Sequence, residues 1–503
     1  MVAEKSNNKL LITGILLSIL VAAMDNTIVA TAMGTIVGDL GDLDKFVWVT
    51  AAYMVASMAA MPIFGKLSDM FGRKRFFIFG LLVFLIGSAL CGLAQSMVQL
   101  SIFRAIQGIG GGALMPIAFT IVFDVFPPEK RGKMIGLVGA TFGISSVFGP
   151  LIGAYITEYI SWHWIFYVNV PIGIISLLFV MTSYKESANR LKQSIDWGGA
   201  ITLVASVVCF MFAIELGGKQ YEWTSAPIIA LFSIFAIMFV SFLFIETKAK
   251  DPIISFSLFK KPLFASSQVL AFIYGATFIP LTVYIPIFVQ SVFGGSATNA
   301  GLILTPMMLG SVVGSGISGM TQTKTSFRNL MFISVVSFAA GLLLLSTMTP
   351  DTSRVLVTLF MVLSGIGVGF SFSLLPTSSI HNLEATQRGS ANSTNAFFRT
   401  LGMTIGITIF GSIQSSRLTD YLTEAFAGKQ AAMNFLGNQD LSGIFTSEVR
   451  SQIPPEILNT IINGMSESIT DIFRITFFVL LFAFIFVFMM GNEKVEIPQK
   501  EKE

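Results

Sequence analysis

Residues 65–75 read Gly65-Lys66-Leu67-Ser68-Asp69-Met70-Phe71-Gly72-Arg73-Lys74-Arg75. The stretch joins two apolar runs, at about 46–65 and 76–95, each near the roughly 20 residues an α-helix needs to cross a bilayer. A short basic connection of this kind is what two successive membrane helices leave on one side of a membrane. Retention of positive charge on that side explains Lys66, Arg73, Lys74 and Arg75. It does not explain the bounding glycines, Gly65 and Gly72, or the single acid, Asp69.

Outward from this point, apolar runs recur along the whole 503-residue chain. Fourteen are read, at about 10–32, 46–65, 76–95, 98–121, 134–157, 163–183, 197–214, 225–245, 263–290, 297–320, 329–348, 355–379, 391–413 and 475–491. No charged residue occurs between Lys261 and Lys324, and Gly294-Gly295-Ser296 divides that stretch into two spans. Hydrophobic residues make up 53% of the chain and charged residues 12%, with a mean hydropathy of +0.77. An ordinary soluble domain is about one quarter charged, so a cytosolic enzyme is disfavoured and a large disordered region is excluded. A net charge of +3 leaves no footprint for nucleic acid. Cys91 and Cys209 lie inside apolar runs, which removes a disulfide framework and a cysteine metal site. The alternating strands of a membrane β-barrel are missing. The first run is too long for a cleaved signal peptide, carries Asp25 and is followed by no cleavage pattern. The expected fold is an all-α polytopic membrane protein with 14 transmembrane helices.

Sidedness follows from the basic residues. With the N-terminus in the cytoplasm, 22 of the 31 Lys and Arg fall in the tails and inner connections, and the short outer connections keep only Lys45, Lys219 and Arg354. That asymmetry puts both termini in the cytoplasm. Trp48, Trp162, Trp164, Trp197 and Trp223 all sit at span ends, where amphipathic rings settle. His163, between two of them, reads as an interfacial anchor rather than a proton carrier. His381 lies in a cytoplasmic connection without ligand-type neighbours.

Several stretches match one known pattern. The 65–75 connection resembles the loop 2–3 signature of the major facilitator superfamily through Gly65, Asp69, Gly72, Arg73 and the basic residues that follow. Arg104-Ala105-Ile106-Gln107-Gly108-Ile109-Gly110-Gly111-Gly112 resembles its second motif. Gly139, Gly143, Gly149-Pro150 and Gly153 in span 5 resemble the signature of proton-driven exporters. Met24-Asp25-Asn26-Thr27-Ile28-Val29 is similar to the acidic motif of the fourteen-helix drug:proton antiporters, and Trp162 to Phe166 with Asn169 to Gly173 also resembles that family. In the second half, Phe397-Phe398-Arg399-Thr400-Leu401-Gly402 resembles it again, whereas Gln322 to Arg328 is a degenerate echo of the first motif.

The resemblance implies two six-helix bundles, at 1–185 and 263–491, that rock about a midplane site. A two-helix insert and linker occupy 186–262 between them, and a cytoplasmic tail follows at 492–503. It also implies that Asp69 docks at the N-terminus of span 13 and that Arg73 lies beside Asp124. The implied location is a bacterial-type cytoplasmic membrane.

Read by themselves, the span 5 glycines permit close helix approach and Gly149-Pro150 adds a kink. The Gly108–Gly112 run lies mid-helix, without the strand and lysine of a phosphate loop. With no ATP-binding domain in view, the expected energy source is a gradient, which the resemblance implies is one of protons, with no cofactor or metal.

The interior charges are Asp25, Arg104 and Arg399. Asp25 and Arg104 fall at matching depth, roughly 9–11 Å below the outer boundary at 1.5 Å per residue, so they can pair as coupling acid and its partner. Arg399 reads as a side chain that snorkels towards the cytoplasm. The polar stretch at about 414–474 is extracellular on this topology. Leu418, Tyr421 and Leu422, then Leu458, Ile461, Ile462 and Met465, recur at helical spacing there. Pro454-Pro455 is expected to separate two short amphipathic helices.

The leading function is proton-coupled export of hydrophobic, often cationic compounds by alternating access, with lipid as the solvent. A dedicated exporter of one antibiotic, lipid or metabolite would use the same machinery. A receptor or intramembrane enzyme finds no paired acid beside Asp25, no Ser/His constellation and no metal cluster in the sequence.

Overall fold

The computed structural model describes residues 8–41, 46–185, 194–218, 220–294, 303–426 and 453–495. Within them the regular secondary structure is helical, apart from one isolated bridge between Gly217 and Tyr221. A backbone in hydrocarbon must satisfy its own polar groups, and a helix does so within one segment. In chain order the helices are α1 (Asn8–Leu40), α2 (Phe46–Phe71), α3 (Arg73–Cys91), α4 (Met97–Val125), α5 (Pro128–Tyr159), α6 (Trp164–Tyr167), α7 (Asn169–Ser183), α8 (Trp197–Leu216) and α9 (Ala226–Lys248). They continue with α10 (Pro262–Ser291), α11 (Leu304–Thr321), α12 (Phe327–Leu345), α13 (Arg354–Ser379), α14 (Arg388–Ala425), α15 (Pro455–Leu481) and α16 (Ala483–Met489).

Among the described residues, twelve helical segments are long and apolar enough to cross a membrane, which makes this a multi-pass membrane protein. The sequence reading counts fourteen. The two helices outside the twelve are α5, of 32 residues, and α11, of 18.

Small residues set the packing. In α4, Gly108 and Gly112 lie against the backbones of Tyr53 and Ser57 in α2, while Gly110 lies against Phe84 in α3. The glycine run is therefore a two-sided seam that holds α4 between two neighbours. Gly149 and Gly153 of α5 press on α1 at Thr27, Ile28 and Thr31. Further along α5, Gly136 and Gly139 meet Gly316 and Ser315 of α11. Gly143 lies in the same helix, and Pro150 is accommodated inside it. In the second half, Gly402 and Gly406 of α14 bring its backbone against Phe272 and Ala276 of α10.

The described ends of the expected polar insertion continue the neighbouring spans: α14 runs unbroken for 38 residues to Ala425, and α15 runs 27 residues from Pro455. No glycine or proline interrupts the chain between Gly411 and Ala425, so the apolar stripe simply extends the span. At 1.5 Å per residue α14 is about 57 Å long, well beyond a bilayer core of about 30 Å. The projecting ends of α14 and α15 pack on each other, with Tyr421 over Gly464 and Gln414 donating to Ser468 Oγ at 3.2 Å. Pro455 stands at the first position of α15. Residues 427–452 of the expected loop lie outside the described residues.

The 322–328 connection has a different partner from its first-half counterpart. Phe327 N donates to Glu493 O at 2.9 Å, and Val495 N to Gln322 O at 3.1 Å, so the segment after α16 covers it.

Candidate functional site

Two polar centres stand out in the first half, one inside the helices and one at the end of the molecule marked by Gly72.

The interior centre is built on Asp25 of α1, which is fully buried, and Arg104 of α4, which is 1% exposed. Arg104 Nη1 donates to Asp25 Oδ2 and also to Gln107 Oε1 at 2.7 Å. Gln107 Nε2 donates to Asp25 Oδ1 at 2.8 Å, and Asn169 Nδ2 of α7 reaches the same oxygen at 3.0 Å. Asn169 also reaches Ser88 Oγ of α3 at 3.0 Å, and Ser88 donates onward to Phe166 O at 2.9 Å. The guanidinium of Arg104 lies 4.2 Å from the ring centre of Tyr53, and its Nε points to Val49 O at 3.4 Å. One carboxylate thus takes hydrogen bonds from a guanidinium and two amides, drawn from two helices, α4 and α7. Isolated charges in a membrane interior are costly and must be paired, and here both partners are buried. Among the described residues Asn169 Oδ1 has no hydrogen-bond partner.

Asp25 and Arg104 are the pair expected from their depth. Gln107 and Asn169 received no role in the sequence reading, although both fall within quoted motifs. Gln107 follows Arg104 by three residues, the spacing that puts two side chains on one helix face. Nothing comparable links Asn169 to Asp25.

The second centre joins the two halves of the chain. Gly72 adopts φ 109°, a conformation suited to glycine, and turns the chain between α2 and α3. Asp69, buried one turn earlier, accepts from Gly389 N at 2.8 Å and Ser390 N at 2.7 Å, the first backbone donors of α14. Arg73 pairs with Asp124 at the end of α4 and donates to Ala385 O at 2.6 Å and to Asp69 Oδ1 at 3.3 Å. Arg388 reaches Asp124 Oδ1 at 3.1 Å. Gly65 lies under Ser393 of α14, where any side chain would collide. Asn392 Nδ2 donates to Pro116 O at 2.8 Å, tying α14 to α4.

Glu246, at the end of α9, extends this network and carried no signal in the sequence. Its buried carboxylate accepts from Ile253 N and Ile254 N at 3.0–3.2 Å. Ile253 O in turn accepts from Ser390 Oγ at 2.6 Å. Nearby, Asp251 accepts from the backbone N–H and hydroxyl of Ser194, which hold its carboxyl below the usual carboxylate range.

The other expected residues are placed differently. Arg399 does not snorkel: Nη2 donates to Ser371 O of α13 at 3.2 Å, and its guanidinium lies 4.8 Å from the ring centre of Phe372. Trp162 is 3% exposed, with Nε1 donating to Asp39 at 2.8 Å, so it closes a helix corner rather than meeting headgroups. His163 stacks on it at 3.7 Å. His381 Nε2 lies 3.5 Å from Glu493. No group that could hold a metal ion occurs among the described residues.

Comparison with known proteins decides the family. The model for the Major Facilitator Superfamily matches residues 15–407. The chain belongs to the major facilitator superfamily. It is 61% identical over 497 residues to a Bacillus subtilis (strain 168) protein named Multidrug resistance protein 3, covering 98% of this chain and 97% of that one. It is 34% identical over 524 residues to Multidrug transporter protein MdtP of the same organism, covering 99% and 97%. Among solved structures, the human organic anion transporter MFSD10 (TETRAN) superposes with a TM-score of 0.60 at 13% identity, covering 95% of this chain and all of that one; this likeness shows the fold alone.

Proposed function

We propose that this facilitator-family protein is a drug exporter that drives hydrophobic, often cationic, compounds out of the cell in exchange for protons, by alternating access. The names of its 61%- and 34%-identical relatives support export of drugs. The observation that carries proton exchange is the Asp25 centre.

An ionised Asp25 holds Arg104, Gln107 and Asn169 together. Arg104 keeps its charge at all relevant pH, so only the carboxyl group can change state. A proton on Asp25 cancels the ion pair, and a cation that reaches Asp25 competes for the same negative charge. Proton and cationic substrate then become alternative partners of one carboxylate, which is the basis of exchange. The span 5 glycines pressed on α1 at Thr27 and Ile28, just beyond Asp25, give α1 and α5 a dry, closely fitted seam.

In this reading the chain has fourteen spans, with α5 and α11 as the two beyond the twelve most apolar. The 1–185 and 263–491 bundles flank the 186–262 insert, and both termini lie in the cytoplasm of a bacterial-type cell. The basic-residue asymmetry supports that sidedness. The contacts of Asp69, Arg73, Arg388 and Asn392 support a cytoplasmic gate between the two halves in this reading. No cofactor and no ATP take part; the proton gradient supplies the energy.

The test is substrate accumulation in everted vesicles under an imposed pH gradient. A lipophilic cation should accumulate against its own gradient and leak out when an uncoupler is added. Accumulation that ignores the uncoupler would refute proton exchange, and failure to accumulate any of a panel of such cations would refute drug export.

A further inference from the structure

Arg399 is a cation among packed helices without an acid. Among the described residues its one hydrogen bond is Nη2 to Ser371 O at 3.2 Å, leaving four of the five guanidinium donors unused. Asp25 balances Arg104, and Asp69 and Asp124 together balance Arg73 and Arg388. Among the described residues no carboxylate lies within ion-pair distance of Arg399. An uncompensated charge in such a place is costly and marks a functional site by default.

Its surroundings differ from the tightly buried helix segments on either side. Residues 391–395 of α14, 373–379 of α13 and 273–277 of α10 are buried without a break. Arg399, Phe372 and Phe278, from those same three helices, keep part of their surface accessible. The two rings meet edge to face at 5.8 Å, and the guanidinium covers Phe372 at 4.8 Å. Gly275 of α10 lies against the Arg399 carbonyl and Gly402 against Phe272, so α14 is closely packed on α10 at this level. A planar fork and two aromatic rings thus form one contiguous, partly accessible cluster among the three helices. A guanidinium fork fits a carboxylate with two parallel hydrogen bonds, and the rings fit a flat aryl group bonded to it.

We propose that Arg399, with Phe372 and Phe278, forms a subsite for the carboxylate of aromatic substrates, so that the protein takes zwitterionic and anionic aryl carboxylates as well as cations. The subsite rests on the export reading only in its physiological role; as a binding site it stands on this geometry alone.

A rhodamine free acid and its methyl ester test it, because the two share one cationic ring system and differ in the carboxylate. Binding to the purified full-length protein in detergent is followed by fluorescence. The wild type should bind the free acid at least about fivefold more tightly than the ester. Arg399→Gln should weaken the acid about tenfold and the ester less than about twofold, and Arg399→Lys should recover part of the loss. Equal losses for both probes, or no acid preference in the wild type, would overturn the subsite. If Arg399→Gln does not yield folded protein, the wild-type acid-to-ester ratio and its reduction in Arg399→Lys decide the matter. Because binding is read without a gradient, an acid preference that Arg399 controls stands even if uphill export fails. Uphill export of cations without that preference refutes the subsite alone.

Discussion

Asp69 takes the first backbone hydrogens of a helix that begins 320 residues further along the chain: its Oδ1 accepts from Gly389 N at 2.8 Å and its Oδ2 from Ser390 N at 2.7 Å. Those amides are orphan donors of α14, and the carboxylate also sits at the positive end of that helix's dipole. Hydrogen bonds to a charged group contribute about 1.5–3 kcal/mol each, so this contact is strong enough to decide between a closed and an open end. Arg73 strengthens it by holding Asp69, Asp124 and the Ala385 carbonyl at once.

Asp69→Asn keeps the shape and removes the charge. Spin labels at Phe71 and Thr386 in this variant should show a longer, broader distance distribution than in the wild type. Transport should fall while substrate binding in detergent persists. An unchanged distribution would mean that Asp69 does not latch the two halves.

Gly153 of α5 leaves no room for a methyl group. A Cβ there would fall 3.2 Å from both Ile28 Cα and Ile28 O and closer still to Thr31 Oγ1. Overpacking of this kind costs about 1–3 kcal/mol. Gly153→Ala should lower the melting temperature of the detergent-solubilised protein and reduce transport, whereas Gly34→Ala, with open space around it, should leave the melting temperature in place. Equal melting temperatures for both variants would show that the α1–α5 seam is not close-packed.

Glu246 anchors the chain between α9 and α10 to the same gate through Ile253. Losing it strands two buried amide donors, each costing about 1–3 kcal/mol. Glu246→Ala should speed hydrogen exchange at Ile253 and Ile254 and also in the first turn of α14, where Ser390 holds Ile253 O. Faster exchange confined to the end of α9 would show that the insert is not tied to α14.

Sidedness has its own test. In a background lacking Cys91 and Cys209, a cysteine at the exposed Glu222 should react with an impermeant thiol reagent in intact cells, and one at the exposed Lys250 only after permeabilisation. The reverse pattern would invert the topology.

How far the sequence carried depended on charge. In a chain with 12% charged residues, each interior charge is conspicuous, and depth alone suffices to match Asp25 with Arg104. Asp69 was conspicuous as the one acid in a basic connection. Neutral polar partners were silent: Gln107 and Asn169 lie 82 and 144 residues from Asp25, and spans rich in Ser, Thr, Asn and Gln offer no way to choose among them. Glu246 was hidden because it stands beside Lys248 and Lys250, where an acid reads as part of a solvated helix end. Arg399 was misread because depth along a helix says nothing about direction around it. The extension of α14 was missed because hydropathy marks where a membrane span stops, and the backbone continues past that point until glycine or proline ends it.

The central claim is that Asp25 exchanges proton for substrate. Its most direct measurement is uphill accumulation of a lipophilic cation in everted vesicles carrying Asp25→Asn under an imposed pH gradient, with insertion and folding checked by thermal unfolding. The expected result is a folded, inserted protein that no longer concentrates the cation, together with loss of substrate-induced proton release. A variant that still concentrates the cation as well as the wild type does would show that the coupling acid lies elsewhere.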